Sequence, residues 1–146
     1  MTESVAMCQY LVEKYGPTDL HVNSDEADYH HYINWLAHSD ATLTFPQTVV
    51  LRYTLQEIGI ADKAAEGYRR WFVARLKLLE QTLESREYLC SNRFTIADIC
   101  VSYALHLAKS LQIEEAFKPN IKRWTDMLFD RDGFNRAVSI RYKEPE

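Results

Sequence analysis

Asp98 is the first residue whose surroundings suggest chemistry, an acid inside the apolar run Phe94-Thr95-Ile96-Ala97-Asp98-Ile99-Cys100-Val101. Its spacing from Thr95 gives it another role. In Thr-x-x-Asp the threonine hydroxyl accepts from a free N–H of the first helical turn, and the acid returns a bond to the threonine N–H. Asp98 also places negative charge at the positive end of the helix dipole. Five histidines and three cysteines raise the question of a metal. His38 follows His31 by seven residues and could share its face, but His21, His30 and His106 supply no third ligand nearby, so no metal is expected. Cys8, Cys90 and Cys100 follow no metal spacing and cannot all pair. No base partner is evident for any of them, so they read as free buried thiols in a reducing compartment, the cytoplasm. Arg131, Arg136, Arg141 and Lys143 are basic, but apart from Tyr142 they lack interleaved exposed aromatics, which is too little for a nucleic-acid surface.

The elements that hold these residues read as helices. Val5, Cys8, Leu11, Val12 and Tyr15 recur at three- and four-residue steps, and Gly16 with Pro17 stops the run. Asn23-x-x-Glu26 has the capping-box form and predicts a second helix starting after residue 23 or 24. Its stripe is Tyr29, Tyr32, Ile33, Leu36 and Leu43, with Trp35 beside it. Pro46 is expected to interrupt it, and a shorter helix should run from about 47 to 58, ended by Gly59. A long helix from about 62 to 85 carries Tyr68, Trp71, Phe72, Leu76, Leu79 and Leu83 on one face. The helix after Thr95 is apolar on nearly all sides, which makes it central and buried. Phe94 and Ile99 suit a hydrophobic staple across its start. Pro119 fits the first turn of a sixth helix that turns Ile121, Trp124 and Leu128 inward. A short helix around 134 to 139 closes the series.

Composition agrees. With 146 residues, 47% of them hydrophobic and 26% charged, the chain can bury a core and is not disordered. Four glycines and four prolines are about half the usual share, too few for a turn-rich β fold. No apolar run approaches the roughly 20 residues of a membrane span, and no charged-then-apolar leader opens the chain. The net charge of −4 argues against a general nucleic-acid binder. Residues 1–66 carry ten acids against three bases, and residues 118–143 seven bases against three acids. The expected fold is all-α, a bundle of about five to seven helices around a buried central one, as a single domain over 1–146.

Three stretches then point to a family. Glu3-Ser4-Val5-Ala6-Met7-Cys8-Gln9-Tyr10-Leu11 resembles the Glu-Ser-x-Ala-Ile-x-x-Tyr-Leu stretch of the glutathione transferase superfamily. Tyr88-Leu89 through Phe94-Thr95-Ile96-Ala97-Asp98 resembles its Tyr-Leu-x-x-x-x-Phe-Thr-x-Ala-Asp signature, and Pro119 to Trp124 and on to Arg131 is similar to its Pro-x-x-x-x-Trp helix before an arginine. They occur in the family's order, and the resemblance covers the family's helical C-terminal half.

The resemblance implies a fold like that domain, with residues 1–4 the remnant of a junction to a missing thioredoxin-like half. That half carries the Tyr, Ser or Cys that activates the glutathione thiol, so no catalytic residue carries over to these positions. Glu3 and Ser4 match residues that bind the γ-glutamyl end of glutathione. Trp35, His38, Ser39 and Thr42 match the helix region that lines the hydrophobic-substrate cleft. The implied function is the substrate side of a conjugation between glutathione thiolate and a hydrophobic electrophile, with the chain alone inactive. Glutathione is then a co-substrate and no cofactor is tightly bound. The implied partners are glutathione, a small hydrophobic electrophile and a second copy in a homodimer, with neither nucleic acid nor membrane. The alternative is a non-catalytic helical association module. The resemblance also implies that the Val5, Cys8 and Val12 face is covered in part by the missing half.

Overall fold

A computed structural model describes residues 1–141; Tyr142 and Lys143, and the side chain of Arg141, lie outside the described residues. Among the described residues seven α-helices follow one another: α1 (Ser4–Lys14), α2 (Tyr29–Ala37), α3 (Phe45–Leu51), α4 (Asp62–Thr82), α5 (Ile96–Ser110), α6 (Pro119–Phe129) and α7 (Asp132–Arg141). A π-helical segment, His38–Thr44, joins α2 to α3, and a second, Arg52–Gln56, follows α3. Among the described residues no strand forms beyond an isolated bridge between Cys90 and Arg93.

Helix α5 is the centre. Ala97, Val101, Ala104, Leu105 and Ala108 are fully buried, and the helix packs against α1, α2, the first π-helical segment and α6. Small residues along it let neighbouring backbones approach, and burying its apolar surface is the main favourable term in the bundle. Phe72, Leu76, Leu79 and Leu83 of α4 and its C-terminal turn, and Ile121, Trp124 and Leu128 of α6, complete the core. The burial of α5 is not uniform. Ile99 and Tyr103 are exposed on one face.

The capping box at Thr95 is present in full. Thr95 Oγ1 accepts from the Ala97 N–H at 3.3 Å, and the Thr95 N–H donates to Asp98 Oδ2 at 2.9 Å. Asp98 Oδ2 also accepts from the Thr95 hydroxyl at 3.0 Å, and its Oδ1 from the Leu89 N–H at 3.0 Å. Burial pushes this carboxyl up to about 6 against hydrogen bonds that pull it down. The Ile96 N–H donates to the Leu20 carbonyl at 3.0 Å, which ties the segment after α1 to the start of α5.

That segment is held by side chains as well. Arg93 forks onto Glu26 through two bonds, at 2.7 and 2.8 Å, and donates to the carbonyls of Asp19 and His21. Arg86 pairs with Asp28 at 2.7 Å, and Asp28 accepts from the Ser91 N–H. Gly16 makes the exit from α1 possible, since a Cβ there would lie 2.7 Å from the Val12 carbonyl oxygen.

Three expectations are corrected. Glu26 accepts from the Asn23 N–H at 2.8 Å as a capping box requires, yet α2 begins only at Tyr29. The Glu26 carboxylate is committed to Arg93, so the motif closes a turn instead of opening a helix. Pro46 does not interrupt. Its preceding π-helical segment shifts the bonding pattern, and Pro46 falls in the first turn of α3, where its missing N–H costs least. Finally, the α1 stripe does not share one environment: Val12 is buried and Val5 and Cys8 are half-buried against this chain's core, whereas Leu11 and Tyr15 stand exposed, as do Met7 and Tyr10.

Thr95→Ala should lower stability by about 1 kcal/mol. Asp98→Ala should lower it by about 3 kcal/mol, because it leaves buried donors without partners. Urea midpoints check both, and unchanged midpoints would remove the cap from the account. A second outcome concerns acid. Arg93 and the Asn23 N–H hold the Glu26 carboxyl at about 2, below its ordinary 4.5. The pair therefore stabilises the fold above the ordinary value, and that contribution fades as pH falls toward 2. The gap in urea midpoint between the parent and Glu26→Gln should shrink across that window. A gap independent of pH would contradict the assignment.

Candidate functional site

The start of α1 is open. Glu3 takes the N-cap position in an extended conformation, but its side chain makes no capping bond, and the first turn holds no acid. Glu3 and Ser4 are both exposed. The first N–H groups of a helix have no partner within it, and they carry the positive end of its dipole. A hydroxyl and a carboxylate beside such N–H groups suit a small zwitterion with a carboxylate and an ammonium.

The second group sits where α2 passes into the π-helical segment. Trp35 is buried at 3% exposure, and its ring meets His38 edge-on, with centroids 5.2 Å apart. His38 Nε2 is buried and has no hydrogen-bond partner among the described residues. Burial, with Arg75 as a lesser cause, lowers the His38 pKa, which favours the neutral ring. Ser39 is buried, and its hydroxyl donates to the Leu36 carbonyl at 2.7 Å. Thr42 is half-buried on the same segment. A π-helical turn widens the backbone and redirects side chains, and such turns are frequent at functional sites. Among the described residues, no hydrogen bond or ion pair joins Glu3 or Ser4 to this group.

One feature escaped the sequence reading. A groove of about 820 Å³ runs between α5 and α7, bordered by Phe94, Ile99, Tyr103, His106, Arg131 and Phe134. Ile99, Tyr103 and His106 follow at four- and three-residue steps, one face of α5. Tyrosine and histidine at such steps were the available signal. The two expected staple residues, Phe94 and Ile99, both border this groove. The Arg131 guanidinium lies over the Phe94 ring, 3.7 Å from its centroid. The His106 ring stands edge-on to Phe129 and Phe134. Among the described residues, no group of three His, Cys, Asp or Glu could hold a metal ion, and no helix is long and apolar enough to cross a membrane.

The family model described as "Glutathione S-transferase, C-terminal domain" matches residues 56–132, just over half of the chain. Glutathione S-transferase 3 of Schizosaccharomyces pombe is 26% identical over 142 residues, covering 88% of this chain and 58% of the relative. A glutathione S-transferase domain-containing protein of Dictyostelium discoideum is 30% identical over 158 residues, covering 97% of this chain and 56% of the relative. The chain thus spans a little over half the length of these relatives. A glutathione transferase of Phanerochaete chrysosporium, solved in complex with oxidized glutathione, superposes with a TM-score of 0.85. It is 26% identical, and the match covers 97% of this chain and 66% of that one.

Proposed function

Since the chain belongs to the glutathione S-transferase family and has the fold of its helical C-terminal domain, we propose that it forms the substrate side of a glutathione-conjugating enzyme. In that reaction the glutathione thiolate attacks a hydrophobic electrophile. The thiol must first be ionised, because the thiolate is the nucleophile. No residue here matches the family's thiol-activating Tyr, Ser or Cys, and the resemblance implies a thioredoxin-like half that carries it. The role of these residues is then binding and orientation. The start of α1 receives the γ-glutamyl carboxylate on its free N–H groups and the Ser4 hydroxyl, and Glu3 meets the ammonium. Trp35, His38, Ser39 and Thr42 wall the electrophile side, where a neutral His38 avoids placing a charge beside an apolar substrate.

The observation that carries this reading is the uncapped start of α1. An exposed helix N-terminus with a hydroxyl and an acid beside it needs a ligand or water to satisfy its N–H groups. Three free thiols suit the reducing cytoplasm.

The 146-residue chain alone should give no conjugation of glutathione to an aromatic chloride above the uncatalysed rate. Joined behind the thioredoxin-like half of the Schizosaccharomyces pombe relative, it should conjugate. Ser4→Ala should then raise KM for glutathione by about tenfold. A rate retained by the purified chain alone would overturn the division of labour. A folded, glutathione-binding fusion without any rate would favour the association module.

Pairing belongs to the same proposal. Met7, Tyr10, Leu11 and Tyr15 are exposed along α1, as are Ile99 and Tyr103 on α5. Apolar patches of this kind tend to be covered, and a symmetric pair covers one with its own copy. Sedimentation equilibrium over a tenfold dilution at micromolar concentration should show a species heavier than 17.1 kDa. A clean monomer at every concentration would rule the pairing out.

A further inference from the structure

We propose that the groove between α5 and α7 is a binding site for a flat aromatic carboxylate. None of Glu3, Ser4, Trp35, His38, Ser39 and Thr42 borders it, so it is separate from both groups of the proposed conjugation site. Its volume of about 820 Å³ lies within the range of small-molecule pockets, which bury most of a ligand's surface. Its walls are apolar and come from three places. Phe94 stands just before α5, Ile99 and Tyr103 share one face of α5, and Phe134 lies in the first turn of α7. Ile99 and Tyr103 are exposed on an otherwise buried helix, so apolar surface waits there for cover.

The walls select a ring. Phe134 is held in place from behind: it stacks on Phe129 with centroids 4.5 Å apart and planes 25° from parallel. The His106 ring stands edge-on to both, at 5.8 Å from Phe129 and 5.3 Å from Phe134. On the other wall the Arg131 guanidinium lies 3.7 Å from the centre of the Phe94 ring, a flat cation on a flat ring. A planar aromatic ligand extends such stacks at little cost in rotamer freedom, because the protein rings are already fixed by their neighbours. A flexible aliphatic chain gains the same apolar cover but loses more freedom on binding.

The rim selects the charge. Arg131 and Arg136 both border the groove and both are exposed. Among the described residues, the ion pairs join Arg52, Arg70, Arg86 and Arg93 to acids, and neither Arg131 nor Arg136 is in one. Asp132 is the acid on the same border, in the first turn of α7, where the positive end of the helix dipole offsets it. Two guanidiniums against one acid leave a single positive charge uncompensated, which suits a carboxylate better than a doubly charged phosphate. The guanidinium fork also matches the two oxygens of a carboxylate. Ser102, on the groove wall, spends its hydroxyl proton on the Ile99 carbonyl at 3.1 Å, so the two arginines supply the donors for the acid group.

The test is calorimetric titration of the full 146-residue chain with naphthoate and with naphthamide, its uncharged counterpart of the same shape. Naphthoate should bind once per chain, and naphthamide roughly tenfold more weakly. Arg131→Gln should weaken naphthoate roughly tenfold and naphthamide far less. Ala137→Trp fills the groove without removing a charge and should abolish binding of both. Arg70→Gln removes an exposed cation on α4, away from the groove, and should leave both titrations as they are. Far-UV circular dichroism checks that each variant keeps its helices. Heat absent at millimolar naphthoate would overturn the proposal, as would equal affinity for the acid and the amide. So would naphthoate binding that survives Ala137→Trp, or that falls as much in Arg70→Gln as in Arg131→Gln. The comparison of acid with amide on the parent chain stands without any variant.

Discussion

The Asp98 carboxylate is the contact on which the architecture turns. A buried acid is costly unless its oxygens are satisfied, and here two oxygens take the Leu89 N–H, the Thr95 N–H and the Thr95 hydroxyl. The arrangement does two things at once. It starts α5, whose first N–H groups are buried away from water, and it folds residues 89–95 back onto that start. Arg93 is thereby aimed at Glu26, and Ser91 at Asp28, so the connection between α1 and α2 is drawn across the beginning of α5. The hydrophobic effect supplies most of the stabilisation but has no direction. The cap and the Arg93 fork give it one, by fixing which end of α5 meets which loop.

Much of this was legible because it is local. A capping box spans four residues, an apolar stripe follows a helix's own period, and Pro at a first turn needs no partner. The contacts between helices were not legible, since nothing in sequence spacing announces them. Glu80 on α4 accepts from the Asn120 and Ile121 N–H groups, so α6 is capped by a side chain some forty residues earlier. Arg123 returns the favour by donating to the Leu83 carbonyl at the end of α4. Gln47 donates to the carbonyls of Leu43 and Ala104 and so pins α3 to α5 from inside the core. Each would read in sequence as a surface polar residue. The Asn23–Glu26 motif failed for the same reason in reverse. Its local signal was right, but a partner 67 residues away, Arg93, took the carboxylate.

The passage from α2 to α3 shows how a local rule can be met in an unexpected way. A proline within a helical pattern normally ends or kinks the helix. Here the backbone loosens into a π-helical segment first. The Thr44 hydroxyl donates to the Ser39 carbonyl and the Ser39 hydroxyl to the Leu36 carbonyl, so polar side chains inside the segment take up backbone acceptors. Ser and Thr in this stretch therefore have a structural use beside any contact with substrate. The same loosened turn presents His38, whose Nε2 has no hydrogen-bond partner among the described residues, beside Trp35. Two residues of the cleft reading, Ser39 and His38, thus differ in kind. The hydroxyl is spent on the backbone, while the imidazole keeps an unused nitrogen.

Helix α1 is where the packing of the domain meets the proposed glutathione end of the site. On its inner face Val12 is buried in this domain's core and Val5 and Cys8 are half-buried against it, so packing within the domain fixes one side of the helix. Its N-terminus is nonetheless unfinished, with first-turn N–H groups that no side chain caps. A helix anchored along one side and open at one end would be the rigid mount that the proposed anion site requires. Rigidity matters because a ligand held by N–H groups gains most when they are already aligned before it arrives.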